Sequence, residues 1–203
     1  MESLVRPSFS EKIAKCIRVV TVPPLMAAVL VWILAAVRPE SFMLKSGPAL
    51  MLLFLTGLPA LAYPMSGLIP RIRKAGRDGQ RALAFILSGI GYICGFLYGL
   101  FGPCSKEELL IYGIYLISVI LLLVFNKLLH IKASGHACSV TGPLVLACWF
   151  LKSQGAAVGF ITGGAIFWSS LKLKRHTIKE LSLGSLLCLT AAALSYILTY
   201  FIL

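Results

Sequence analysis

Two of the three histidines in this chain, His136 and His176, sit in short polar stretches that interrupt long apolar ones. The first stretch is Lys132-Ala-Ser134-Gly135-His136-Ala-Cys138, which opens directly into an apolar run. The second is Trp168-Ser169-Ser170-Leu-Lys172-Leu-Lys174-Arg175-His176-Thr177-Ile-Lys179-Glu180. Imidazole titrates near neutrality, so each histidine can serve as proton donor, proton acceptor or nucleophile. Glu180 follows His176 by four residues; on a helix the two share a face, and a carboxylate there can hold the imidazole in one tautomer. An exposed His and a surface Glu in a basic loop have the same spacing. Ser134, at a helix entry, can cap the backbone, and its hydroxyl and the nearby Gly135 amide can equally hold a phosphate oxygen.

A third polar stretch, Lys74-Ala-Gly-Arg77-Asp-Gly-Gln-Arg81, carries three cations at i, i+3 and i+7. On a helix they lie within roughly 60° of one another and form one cationic face. The alternative is a cluster that anchors a membrane helix at the cytoplasmic surface. His176 and Glu180 are two possible ligands with no third His or carboxylate nearby, too few for a metal site, and no metal or cofactor is expected. None of the six cysteines has C-x-x-C spacing, so they read as small apolar fillers, and His130 reads as a lipid-interface residue.

The elements that must position these groups are apolar. The chain has 203 residues, 59% hydrophobic and 13% charged, with a mean hydropathy of +0.92, far above a soluble domain. Seven uncharged runs follow one another: 19–37, 47–69, 82–103, 109–126, 137–151, 153–171 and 181–203. Most approach the roughly 20 residues that cross a hydrocarbon core. The run from Ala137 is short, but a helix starting at Ser134 lengthens it and leaves His136 in the first turn. The expectation is an all-α, polytopic transmembrane helix bundle of six to seven spans. It forms a single integral membrane domain over residues 1–203, with the candidate site carried by about 71–185. The first run exceeds a signal-peptide core and reads as a retained helix. Glycines at 91, 95 and 99, and again at 155, 159 and 163, have the small-x-x-x-small spacing of close helix contacts.

If every run spans, fifteen of the nineteen Lys and Arg fall on the side of the N-terminus, leaving Arg38, Lys45, Lys106 and Lys152 on the other. The positive-inside rule then puts the N-terminus and all three polar clusters in the cytoplasm. With no soluble domain to present a binding surface, the net charge of +12 points to anionic lipid headgroups rather than nucleic acid. Two spans separate each cluster from the next, so topology brings all three to one end of the bundle.

In order and spacing the clusters resemble the type 2 phosphatidic acid phosphatase superfamily, whose signature is K-x6-R-P, then P-S-G-H, then S-R-x5-H-x3-D. Lys74 and Arg81 match the first part, Ser134, Gly135 and His136 the second, Ser169 and His176 the third. Ala82 and Ala133 replace the two prolines, Glu180 the final Asp, and Ser170 the Arg of the third part. That last change removes a phosphate-binding cation, for which Lys172, Lys174 or Arg77 would have to substitute, without the bidentate fork of Arg where Lys is used.

The resemblance implies a metal-independent hydrolase of a lipid phosphate or diphosphate: phosphatidic acid, phosphatidylglycerol phosphate or a polyprenyl (di)phosphate. It would work through a phosphohistidine. By analogy His176 attacks phosphorus and is held by Glu180, while His136 protonates the leaving oxygen and later activates water. Lys74, Arg81, Ser134 and Gly135 bind the phosphate. The expected setting is a bacterial-type plasma membrane with the site on the cytoplasmic side. A non-catalytic lipid-phosphate binder or transporter, motivated by Ser170, and a phosphotransferase are the alternatives.

Overall fold

In a computed structural model, which describes residues 8–203, the chain is helical throughout and has no β-strand among those residues. Arg6, counted above on the basic side, lies outside them. Helix α1 (Phe9–Val20) begins with a capping box: Ser8 Oγ accepts from Glu11 N at 3.3 Å, and Glu11 Oε2 accepts from Ser8 N at 3.0 Å. Phe9, Ile13, Ile17 and Val20 fall on one face and Lys12, Lys15 and Arg18 on the other, the pattern of a helix lying in a membrane interface. At Thr21–Val22 the chain bends by 60° into α2 (Pro23–Val37), with both prolines in the first turn, where a missing N–H costs least. The first apolar run is thus not one 19-residue helix: Val19 and Val20 belong to α1.

The remaining long elements are α3 (Gly47–Leu68), the short α4 (Pro70–Lys74), α5 (Gly76–Phe101), α6 (Lys106–Leu128), the 38-residue segment Gly135–Lys172, and α9 (Ile178–Ile202). Five of these are long and apolar enough to cross a membrane, and the bent α1–α2 pair makes a sixth. Pro59, which cannot donate a backbone bond, follows a π-helical turn at Leu53–Gly57 that absorbs the break in α3.

The 38-residue segment is two helices. Lys152 has φ 55° and ψ −128°, a non-helical conformation that reverses the chain. Across the reversal Gly155 lies against the Ala147 carbonyl, Gly159 against Leu144 and Cys148, and Gly163 against Leu144. These pairs run antiparallel about Lys152 and define α7 (135–151) and α8 (153–172). A Cβ at Gly155 would overlap the Ala147 backbone, which is why the two arms can approach so closely. The stripe on α5 works similarly, with Gly91 against the Phe54 carbonyl of α3, Gly95 against the Tyr112 ring of α6 and Gly99 against Leu109.

The bundle has two distinct ends. At one, Arg38 Nη1 donates to the Phe150 carbonyl at 3.2 Å, Ser105 Oγ donates to the Ser41 carbonyl at 2.6 Å, and Lys106 Nζ lies 5.9 Å from the Tyr200 ring. There, the buried Glu108 accepts from Met43 N at 3.0 Å and Ser105 N at 2.9 Å, tying the α2–α3 loop to the start of α6. At the other end meet Arg18, the starts of α5, α7 and α9, and the ends of α6 and α8. Among the described residues, helices α2, α3, α5, α6, α7, α8 and α9 run between the two ends.

Candidate functional site

The end that collects α1, α5, α7 and the α8–α9 turn holds a cavity of about 770 Å³. Its mouth carries Arg18, Arg81, Lys127, Lys132, Lys174 and Arg175 together with His136, His176 and Gly135. Deeper, the wall changes to Phe85, Tyr92, Ile114, Val119 and Leu122. Cationic at one end and apolar at the other, it suits an anion with a hydrocarbon tail.

The α8–α9 turn positions His176. As α8 ends, the amides of Leu173, Lys174 and Arg175 donate to the carbonyls of Ser169, Leu171 and Ser170 at 3.1, 2.9 and 3.0 Å, and Lys174 takes a positive φ of 50°. Thr177 then caps α9, accepting from Glu180 N at 3.2 Å, so His176 precedes the helix. The expectation that His176 and Glu180 share a helical face is therefore corrected, although the contact itself forms. Glu180, three residues into the cap, reaches back as a capping-box carboxylate does, and its Oε2 lies 2.9 Å from His176 Nδ1. A carboxylate only accepts, so Nδ1 carries a proton, and in the neutral imidazole Nε2 keeps its lone pair. Lys132 Nζ holds the other oxygen of Glu180 at 3.0 Å.

His136 is placed by the start of α7. Ser134, fully buried, spends its hydroxyl as the cap, accepting from Ala137 N at 3.2 Å, while its own amide donates to the Glu180 carbonyl at 2.9 Å. Of the two uses open to Ser134 the structure has the cap; the side chain does not line the cavity. Gly184 of α9 packs on the Ser134 backbone, and a Cβ there would overlap the Ser134 carbonyl. Among the described residues the amides of Gly135 and His136 donate to no protein acceptor, leaving the positive end of α7 turned to the cavity. His136 Nε2 lies 3.5 Å from Thr21 Oγ1, whose own proton goes to the Ile17 carbonyl at 2.7 Å.

The structure thus gathers His136, His176, Gly135, Arg81 and Lys174 around one cavity, with Glu180 behind His176. Lys74, Arg77 and Lys172 are exposed and do not line it. The single cationic face expected for Lys74, Arg77 and Arg81 does not form, because Gly76 with φ 59° separates α4 from α5 and turns Lys74 out of register. Ser169 and Ser170 are fully buried; Ser169 Oγ donates to the Ile166 carbonyl at 2.9 Å.

Four lining cations were not among the candidate residues: Arg18, Lys127, Lys132 and Arg175. Lys132 and Arg175 adjoin the histidine clusters and were legible there as neighbours. Arg18 carries no motif signal, and only folding brings it to the cavity: its Nη1 donates to Ser170 Oγ at 2.9 Å across 152 positions of sequence. Among the described residues no three His, Cys, Asp or Glu converge as a ligand set for a metal. No protein-family model, curated protein or solved structure matches this chain.

Proposed function

We propose that this chain is a multi-pass membrane phosphatase, a diverged member of the type 2 phosphatidic acid phosphatase superfamily, that hydrolyses a lipid phosphate or diphosphate through a phosphohistidine. The observation that carries the reading is His176, whose Nδ1 is tied to Glu180 and whose Nε2 has no partner among the described residues, beside a cation-rich cavity. A lipid phosphate enters with its oxygens among Arg81, Lys174, Arg175 and the α7 amides, and with its chain along Phe85, Ile114, Val119 and Leu122. Positive charge around the equatorial oxygens lowers the barrier to phosphoryl transfer.

In the first step Nε2 of His176 attacks phosphorus, the ester P–O bond breaks, and His136, protonated with the phosphate anion bound beside it, gives its proton to the leaving oxygen. Water then attacks the phosphohistidine, His136 takes a proton from it, the P–N bond breaks and inorganic phosphate leaves. Glu180 stabilises the imidazolium character that builds on His176 in the first step and is discharged when the P–N bond breaks in the second.

A second reading, a lipid-phosphate binder without turnover, draws on Ser170, which is buried and adds no charge to the cavity. Purified protein and its His176→Ala variant, assayed with chelator present across phosphatidic acid, phosphatidylglycerol phosphate and polyprenyl phosphates, separate the two. The phosphatase releases phosphate from at least one substrate and loses it in the variant. Activity surviving His176→Ala, or strictly requiring added metal, overturns the mechanism; lipid binding with no release across the panel favours the binder. The basic end of the bundle faces a bacterial-type cytoplasm in this proposal, following the charge asymmetry of the loops.

A further inference from the structure

The third motif of the superfamily has an arginine where this chain has Ser170, and none of the substitutes expected from sequence fills the gap convincingly. Lys172 and Arg77 are exposed and do not line the cavity, and Lys174 offers only a point charge. A guanidinium that touches residue 170 comes from another element. Arg18, in the last turn of α1, reaches over the end of α8 and donates to Ser170 Oγ at 2.9 Å. It is half-buried and shares the cavity wall with Arg81, Arg175, His136 and His176.

Three features set Arg18 apart from a cation that merely anchors a helix. Among the described residues no carboxylate lies within ion-pair distance of it. A guanidinium has five N–H donors, and Ser170 occupies one, so the rest of the fork is available to an oxyanion in the bidentate manner of arginine. The same α1 terminus also meets the candidate acid, through Thr21 Oγ1 and His136 Nε2 at 3.5 Å. Helix α1 is therefore part of the wall that faces the phosphate, and the serine at 170 receives the long side chain arriving from it.

We infer that Arg18 is a phosphate-binding residue supplied from the N-terminal interfacial helix, with Ser170 as the positioning residue that holds its guanidinium, and that together they replace the arginine missing from the third motif. The inference rests on the phosphatase reading and deepens it: the ligand is the phosphate oxygens of the lipid headgroup, and the site is complete only while α1 is packed on the α7–α8 hairpin.

The test compares wild type, Arg18→Gln, Arg18→Lys, Ser170→Ala, the double variant Arg18→Gln/Ser170→Arg, and His176→Ala. Steady-state phosphate release and binding of inorganic orthovanadate by ⁵¹V NMR are measured on protein whose helix content and melting temperature match wild type. Arg18→Gln should lower kcat/KM by about 10²-fold, the size of losing one charge-stabilising donor. Arg18→Lys should recover only part of this, Ser170→Ala should cost several-fold, and the double variant should regain most of the lost activity and vanadate affinity. Recovery by moving the arginine to 170 is an outcome that a structural role for Arg18 does not produce. Wild-type kcat/KM and vanadate affinity in Arg18→Gln overturn the inference while leaving the phosphatase reading intact, provided His176→Ala is inactive. If wild type hydrolyses nothing in the panel, the phosphatase reading fails, and vanadate binding alone decides Arg18: lost in Arg18→Gln it supports the role, unchanged or absent in wild type it refutes it. Should Arg18→Gln not fold, Arg18→Lys with and without Ser170→Arg carries the same comparison.

Discussion

Glu180 does three jobs with one carboxylate. It closes the capping box of α9, holds His176 Nδ1 at 2.9 Å and receives Lys132 at 3.0 Å. Because the cap fixes the backbone from which Glu180 projects, the imidazole is oriented by the start of a helix rather than by a flexible side chain. Glu180→Gln should therefore keep the fold but weaken control of the tautomer and of charge on His176. We expect kcat to fall by roughly 10²-fold or more with vanadate affinity little changed, since the group acts through a proton and not on phosphate directly. Single-turnover kinetics beside vanadate binding measure the two; an unchanged kcat would mean that His176 is positioned by something else. His176 and Glu180 were legible as a pair from spacing alone. The route was not, because i, i+4 spacing suggests a shared helical face, whereas the cap at Thr177 leaves His176 outside the helix and makes Glu180 bend back to it.

At the scale of elements, the α7–α8 hairpin decides the geometry of the site. It carries His136 at its beginning and Ser170 at its end, and both reach the cavity end only because the chain reverses at Lys152. A lysine with φ 55° and ψ −128° occupies a region that glycine adopts freely and side chains resist, at a cost of about 1–3 kcal/mol. Lys152→Gly should raise the melting temperature in detergent or nanodiscs, by about 2–4 °C for each kcal/mol relieved. A lower melting temperature would show that the lysine contributes more through its contacts than it costs through its backbone. The charge at 152 marked a break between two apolar runs, which was enough to separate α7 from α8 in the sequence. That the break is a reversal of a single residue follows from Gly155 fitting against Ala147, a contact between side-chain-free surfaces that spacing only hints at. Helix α1 is the converse case. Its apolar residues merged in sequence with those of α2, and the 60° bend at Thr21–Val22 separates an interfacial helix from a crossing one.

Over the whole molecule, charge and hydropathy agree. The end with the cavity holds most of the Lys and Arg, and the opposite end has Arg38, Lys106 and Lys152. If the basic end faces the cytoplasm, as proposed, a cysteine introduced at Lys179 should resist a membrane-impermeant maleimide in intact cells and label only after permeabilisation. Ready labelling from outside would invert the topology and put the cavity on the other face of the membrane. The apolar runs by themselves determined an all-helical polytopic bundle, and their order put the two histidine clusters and Arg81 at one end. Those are consequences of solvent: a backbone in hydrocarbon must close its hydrogen bonds within helices, and each run of about 20 apolar residues commits one crossing. Which polar side chains face the cavity was decided only by tertiary structure. Lys74 matched a motif and turned away because one glycine adopted a positive φ, Ser134 matched and was consumed as a cap, and Arg18 matched nothing and arrived from a distant helix. Spacing records which residues share a local face. The packing of α1 on the hairpin, which brings Arg18 to Ser170, depends on surfaces that no local pattern contains.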